Sequence, residues 1–298
     1  MSDNEKILHM EEIIKEYDLA FDKKLEEVAK DILSKKDVRL IRLSGPTCSG
    51  KTTAAAMLVR TFEKEGKRAI TVSIDDFYFD THILKSNSKK KGLDGIDYDS
   101  VDTIDLDELS RFVEEIFDSD EVHCPIFDFT RGRRTGYRAI KIGKDDIFIF
   151  EGIQTLYPEI ADMFSKHSSA GIFIAPMTDI IADEKRVNPN ELRLMRRLVR
   201  DYKYRNTDPR FTFELWKNVR KNEERSIFPF VETCEYKIDS TVPYELGILR
   251  PYLENILKDI KEEESCYSHA KEILSWVDSE DIILDTLIAP DSLYKEFV

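Results

Sequence analysis

Gly45-Pro46-Thr47-Cys48-Ser49-Gly50-Lys51-Thr52 is the stretch on which the reading of this chain turns. It fits G-x-x-x-x-G-K-[ST] in the setting that gives the pattern meaning: a β-rich run at 38–44 before it and a helix-like stretch at 51–65 after it. The glycines let successive backbone N–H groups turn toward one centre. That nest, backed by the helix N-terminus, holds negative phosphates. Lys51 can reach the β- and γ-phosphates of ATP, and the Thr52 hydroxyl can ligate Mg²⁺. The expected nucleotide-binding set is therefore Gly45, Thr47, Ser49, Gly50, Lys51, Thr52 and Thr53. Cys48 reads as a small loop residue, with a redox-sensitive thiol as the alternative.

Working outward, further strand-like runs fall at 69–74, 146–150, 171–175 and 236–239, with helical segments such as 106–117 and 190–204 between them. Strands alternating with helices predict a mainly parallel sheet covered on both faces. The expected architecture is an α/β, three-layer P-loop NTPase of the nucleoside/nucleotide kinase type. It carries an arginine-bearing helical lid and helical extensions at both ends. The division expected is an N-terminal amphipathic helix within 1–37, a P-loop domain at 38–255 and a C-terminal helical extension at 256–298 packed on that domain. Ile7, Ile13, Ile14, Tyr17, Phe21, Leu25, Val28 and Ile32 recur at helical spacing. They predict a helix packed on the domain, or one that binds a partner. Residues 85–99, including Lys89, Lys90 and Lys91, read as an exposed polar loop.

Composition narrows the function. The chain has 298 residues, with 45 Lys+Arg against 59 Asp+Glu, a net charge of −14. With a pI near 5.0, a general nucleic-acid binder is not expected, because phosphate binding needs a basic surface. No apolar run approaches the ~18 residues of a membrane span. The start lacks a secretory signal order, and the four scattered cysteines form no CxxC pair, so the reading is a cytoplasmic chain. The five histidines show no ligand spacing.

Three more features point to phosphoryl transfer. Ser73-Ile74-Asp75-Asp76-Phe77-Tyr78 ends the second strand, where carboxylates face the ligand crevice of an open α/β sheet. One of them could take a proton from an attacking hydroxyl or bind metal. Glu151 ends the third strand, in the position that holds Mg²⁺ or its waters. Arg193, Arg196, Arg197 and Arg200 share one helical face, and Arg205 follows. Like charges so grouped suit a lid over ATP phosphates. The plain alternative is a solvated helix paired with Glu191 and Asp201.

With these residues in hand, the chain resembles the uridine kinase/phosphoribulokinase family of P-loop kinases, above all the kinase module of clostridial-type uridine kinases. The resemblance covers about 38–298. It rests on GPTCSGKT, IDDFYFD, YDSVDTID, PIFDF, FEGI, RRLVRDYKYR, WKNVRKNEERSIFPF, STVPYELGIL and IAPDSLYKEF. The resemblance implies that Asp75 is the catalytic base on a ribose 5′-hydroxyl and that Asp99 binds ribose hydroxyls. Tyr78, Phe127, Phe129 and Arg134 would contact the acceptor. Thr52, Glu151 and Asp75 would be the Mg²⁺ set. Arg197 and Arg200 would join Lys51 in catalysis, with Arg197 and Arg205 also touching the acceptor. Arg193 and Arg196 would bind ATP. The sequence departs from the better-known uridine/cytidine kinases at Phe127 (Tyr in the family), Gly132 (His) and Thr207 (Arg), positions that read base and sugar.

The expected activity is ATP- and Mg²⁺-dependent transfer of a phosphoryl group to a small acceptor, foremost the 5′-hydroxyl of uridine or cytidine. A kinase of another sugar or sugar phosphate is the alternative within the family, with Arg131, Arg133 and Arg134 suited to a phosphorylated acceptor. A non-catalytic ATP-dependent switch is the alternative outside it. Homo-oligomers occur among such kinases, and the sequence sets no number.

Overall fold

A computed structural model describes residues 3–90, 96, 98 and 100–298, with side chains from Leu8 onward. In chain order the elements are α1 (Asp3–Ser34), β1 (Leu40–Ser44), α2 (Lys51–Lys64), β2 (Ala69–Ser73), α3 (Thr81–Lys90), α4 (Leu106–Asp118), β3 (Glu121–Asp128), β4 (Arg133–Lys141) and β5 (Ile147–Glu151). They continue with α5 (Pro158–Ser165), β6 (Ser169–Ala175), β7 (Ile180–Ala182), β8 (Lys185–Val187), α6 (Pro189–Arg205), α7 (Pro209–Ser226), β9 (Tyr236–Asp239), α8 (Glu245–Leu257) and α9 (Tyr267–Val277). Short 3₁₀ turns follow several strands and close the chain at Leu293–Glu296.

The five runs expected as strands form one parallel sheet in the order β2-β5-β1-β6-β9. Their side chains alternate between two cores, as strands buried on both faces must. Along β5, Ile147 and Ile149 face α1, α2, α6 and α8, while Phe148 and Phe150 face α4, α5 and the β3–β4 hairpin. The order reverses at β1, whose neighbours are β5 and β6, so a crevice opens at its carboxyl end. Register brings Ser73 and Leu43 level with Glu151 at that same edge. The loop after β1, the acidic turn after β2 and the end of β5 therefore converge.

Two antiparallel hairpins, β3–β4 and β7–β8, were not expected. Exposed and buried residues alternate along β3 without a turn glycine pair to announce it. The stretch expected as a loop at 85–99 begins inside α3, and 91–95, 97 and 99 lie outside the described residues. Helix α1 buries Ile14, Phe21, Leu25, Val28, Ala29 and Ile32 in the same core as α2 and α8. The chain's end returns across the domain, with Leu293, Tyr294 and Phe297 buried in that core.

Candidate active site

The phosphate loop owes its shape to local backbone geometry. Gly50 caps α2 with φ 88°, in the left-handed region open to glycine. A Cβ there would also lie 2.5 Å from Leu293 Cδ1. Lys51 Nζ donates to Pro46 O at 3.0 Å, folding back over its own loop. Ser49 is buried with its hydroxyl unpartnered among the described residues.

A crevice of about 510 Å³ opens above this loop. Thr47, Lys51, Thr52, Asp75, Tyr78, Glu151, Arg197, Arg200 and Arg205 line it, all of them residues singled out from sequence. Burial pushes the Glu151 carboxyl above its usual range; the Lys51 ammonium opposes this, while Asp75 and Glu296 add to it. Two carboxylates, a threonine hydroxyl and an ammonium so close together form an oxygen-rich site. It fits Mg²⁺, which binds through one or two carboxylates plus phosphates.

The arginines divide into two groups. Arg197 Nε and Arg200 Nη2 donate to Asp201 at 3.1 and 2.8 Å, and Arg205 Nη1 lies 3.4 Å from the same carboxylate. Three guanidiniums share one carboxylate at the crevice, and that excess of positive charge suits a polyanion. Arg193 and Arg196 do not face the crevice. They are fully buried, and each forms a two-pronged pair across a long sequence gap. Arg193 donates to both Glu223 oxygens at 2.6 and 2.7 Å. Arg196 donates to Glu245 Oε2 at 2.7 Å and Oε1 at 3.0 Å. Their remaining N–H groups hold the phosphate loop from below, Arg193 at Thr47 O (3.2 Å) and Arg196 at Cys48 O (3.4 Å). The expectation that they contact ATP is thus replaced by a bracing position beneath the loop. Spacing along α6 alone cannot separate the two groups.

At the acceptor end, Tyr78 meets Phe127 (centroids 5.7 Å) and Phe129 (6.0 Å), and the latter two stand 5.0 Å apart edge-on. Of the three, only Tyr78 lines the crevice. The Asp76 carboxylate accepts the Phe127 N–H at 3.2 Å and fixes the hairpin to the acidic turn. Arg134 lies outside the crevice lining: it donates to Asp105 Oδ2 at 3.1 Å and to Phe77 O at 3.3 Å, bracing the hairpin against α4. Asp99 lies outside the described residues. Gly132 has φ 60°, and a Cβ there would sit 2.4 Å from Thr81 Oγ1, so a side chain at this turn would be strained and would displace the Thr81 hydroxyl.

Thr53 turns its N–H and hydroxyl toward Glu296 Oε2, at 3.5 and 3.4 Å. Glu296 and Gln154 both line the crevice, and neither was singled out from sequence. Signals were available for both: Glu296 lies within the IAPDSLYKEF segment and Gln154 directly follows FEGI.

The comparisons with known proteins agree with this geometry. Residues 40–243 match the family described as Phosphoribulokinase / Uridine kinase family. The uridine kinase of Mycoplasma genitalium is 32% identical over 166 residues, 55% of this chain and 67% of that one. The uridine kinase of Clostridium tetani is 28% identical over 231 residues, 77% of this chain and 97% of that one. A crystal structure from Silicibacter sp. TM1040, described as a candidate fructose transport system kinase, superposes with a TM-score of 0.53 at 19% identity. It covers 68% of this chain and 95% of that one, and supports the fold. With a nucleotide loop at the switch point of the sheet and a family match across it, the chain belongs to the phosphoribulokinase/uridine kinase family and is an ATP-dependent kinase.

Proposed function

We propose that this kinase transfers the γ-phosphoryl group of ATP to the 5′-hydroxyl of a pyrimidine nucleoside, uridine or cytidine. The observation that carries the reading is the convergence of Lys51, Thr52, Asp75, Glu151 and three lid arginines on one crevice. The uridine kinases among the relatives supply the acceptor class. Two of the three hairpin arginines offered for a sugar phosphate are engaged otherwise: Arg131 lies 3.3 Å from Asp128 and Arg134 pairs with Asp105. That favours an uncharged acceptor.

Phosphoryl transfer passes through a loose transition state, so positioning and charge neutralisation carry most of the catalysis. Lys51 and the phosphate-loop N–H groups would bind the ATP phosphates. Arg197, Arg200 and Arg205, gathered by Asp201, would cover them and limit water access. Thr52, Glu151 and Asp75 would hold Mg²⁺, which would neutralise charge on the phosphate oxygens. Asp75 would orient the acceptor hydroxyl and take its proton, with Tyr78 walling the acceptor side.

The test is ADP release with ATP and Mg²⁺ over a panel of uridine, cytidine, purine nucleosides, ribose, ribulose 5-phosphate and no acceptor. Turnover is expected with uridine or cytidine. Asp75→Asn is expected to lower kcat ~10²–10⁴-fold, the span of general acid–base catalysis, with nucleotide binding retained. Turnover restricted to a sugar phosphate would overturn the nucleoside reading.

A further inference from the structure

We infer that Gln154 is a positioning residue that holds the catalytic carboxylate of Asp75 and the wall residue Tyr78 in one arrangement. The inference rests on Asp75 acting as the base, as proposed above. Gln154 sits in the 3₁₀ turn Ile153–Leu156 just after β5 and is only 1% exposed. A carboxamide so deeply buried is retained where its hydrogen bonds matter, because an apolar side chain would fill the space without a desolvation cost.

Its bonds converge on the acceptor end. Nε2 donates to the Tyr78 hydroxyl at 2.9 Å and to Asp75 Oδ1 at 3.4 Å. A carboxylate only accepts, so the amide nitrogen must face it, and this sets the orientation of the group. The Tyr78 hydroxyl in turn donates to Tyr98 O at 2.8 Å. One amide thereby links the end of β5, the turn after β2 and the segment leading to α4. Tyr78 in turn contacts Phe127 and Phe129, so the link extends to the hairpin.

The other end of the amide is as informative. Oε1 is buried and has no hydrogen-bond partner among the described residues, although Gln154 lines the crevice. A purely structural cross-link gains nothing from an orphaned acceptor, whereas functional sites tolerate one. The long bond to Asp75 also fits a group whose catalytic geometry tightens only with substrate in place.

The experiment measures steady-state kinetics with ATP and uridine for Gln154→Met, Asp75→Asn and the double variant. Gln154→Met keeps length and volume and loses the donor. It is expected to lower kcat about 10- to 100-fold, the scale of a misplaced catalytic group, with the KM for ATP within about twofold. The double variant is expected to be no slower than Asp75→Asn alone, because Gln154 acts through Asp75. Gln154→Glu, whose carboxylate offers no N–H to Asp75 or to the Tyr78 hydroxyl, is expected to repeat the loss and serves if Gln154→Met does not fold. An unchanged kcat, or a rise in both KM values with kcat preserved, would overturn the inference. So would losses that multiply in the double variant. Full turnover by Asp75→Asn is a different result: it removes the base assignment, and the positioning role with it.

Discussion

The buried pair of Arg196 and Glu245 offers the sharpest quantitative test of how this site is built. Both side chains are fully buried, and the two-pronged bond between them is joined by Ser240 O at 2.8 Å and the Tyr294 hydroxyl at 3.2 Å. The rings of Tyr294 and Phe297 lie 5.6 and 5.1 Å from the guanidinium. Burial opposes the charge on Arg196, yet Glu245 more than offsets it and holds its pKa above the ordinary value. Glu245→Gln leaves that cation without a counter-ion in the core. Removing one partner of such a pair costs ~3–5 kcal/mol. At roughly 2 °C per kcal/mol, the lower end for a domain of this size, the melting temperature should fall by about 6–10 °C. Circular dichroism melts without nucleotide read this directly. Arg196→Met/Glu245→Leu, which replaces the pair by apolar groups, should recover most of the loss. It should still show a raised KM for ATP, because the bond to Cys48 O is gone. If Arg196→Met melted like the parent while ATP binding collapsed, the guanidinium would be acting on phosphate, and the bracing account of α6 would be refuted.

Glu296 and His269 each have a partner that fixes the sign of its effect. Glu296 sets a carboxylate against the first turn of α2, where it faces Thr53 N and Oγ1. Glu296→Gln should tighten ATP binding by about two- to fivefold at low salt, the worth of a charge at a helix N-terminus, and isothermal titration would read it; weaker binding would mean that the carboxylate assists the nucleotide. His269 on α9 lies 2.7 Å from Glu191 on α6, and that bond raises the imidazole pKa above its ordinary 6.5. The folded state therefore holds the proton more tightly than the unfolded state, so its contribution to stability is complete below about pH 6.5 and is lost as pH rises through the raised value. His269→Phe should flatten the dependence of melting temperature on pH across that window; an undiminished slope would assign it to another group.

Much of the fold could be read from local pattern. The glycine positions of 45–52 demand a particular backbone, and the five apolar runs between helical stretches demand a parallel sheet. Both signals lie within a few residues of chain, which is why they survive without a third dimension. Lys51, Thr52, Asp75 and Glu151 were legible for the same reason: each sits at a strand end or loop of recognisable form, and strand register brings those ends to one edge. The β3–β4 hairpin was not legible, because its glycine-bearing turn lies among arginines and its strand pattern is half exposed.

The four arginines on α6 mark where sequence stops. Helical period places Arg193, Arg196, Arg197 and Arg200 near one another, and that much the sequence determined alone. Which of them meets solvent and which enters the core depends on α7 and α8, which bring Glu223 and Glu245 from 30 and 49 residues away. The reach of Gln154 to Asp75 and of Glu296 to Thr53 spans 79 and 243 residues. Local chain geometry sets period, turn and strand. The cost of burying a charge or an amide is decided by whatever partner the folded chain delivers to it, and only the tertiary structure makes that delivery.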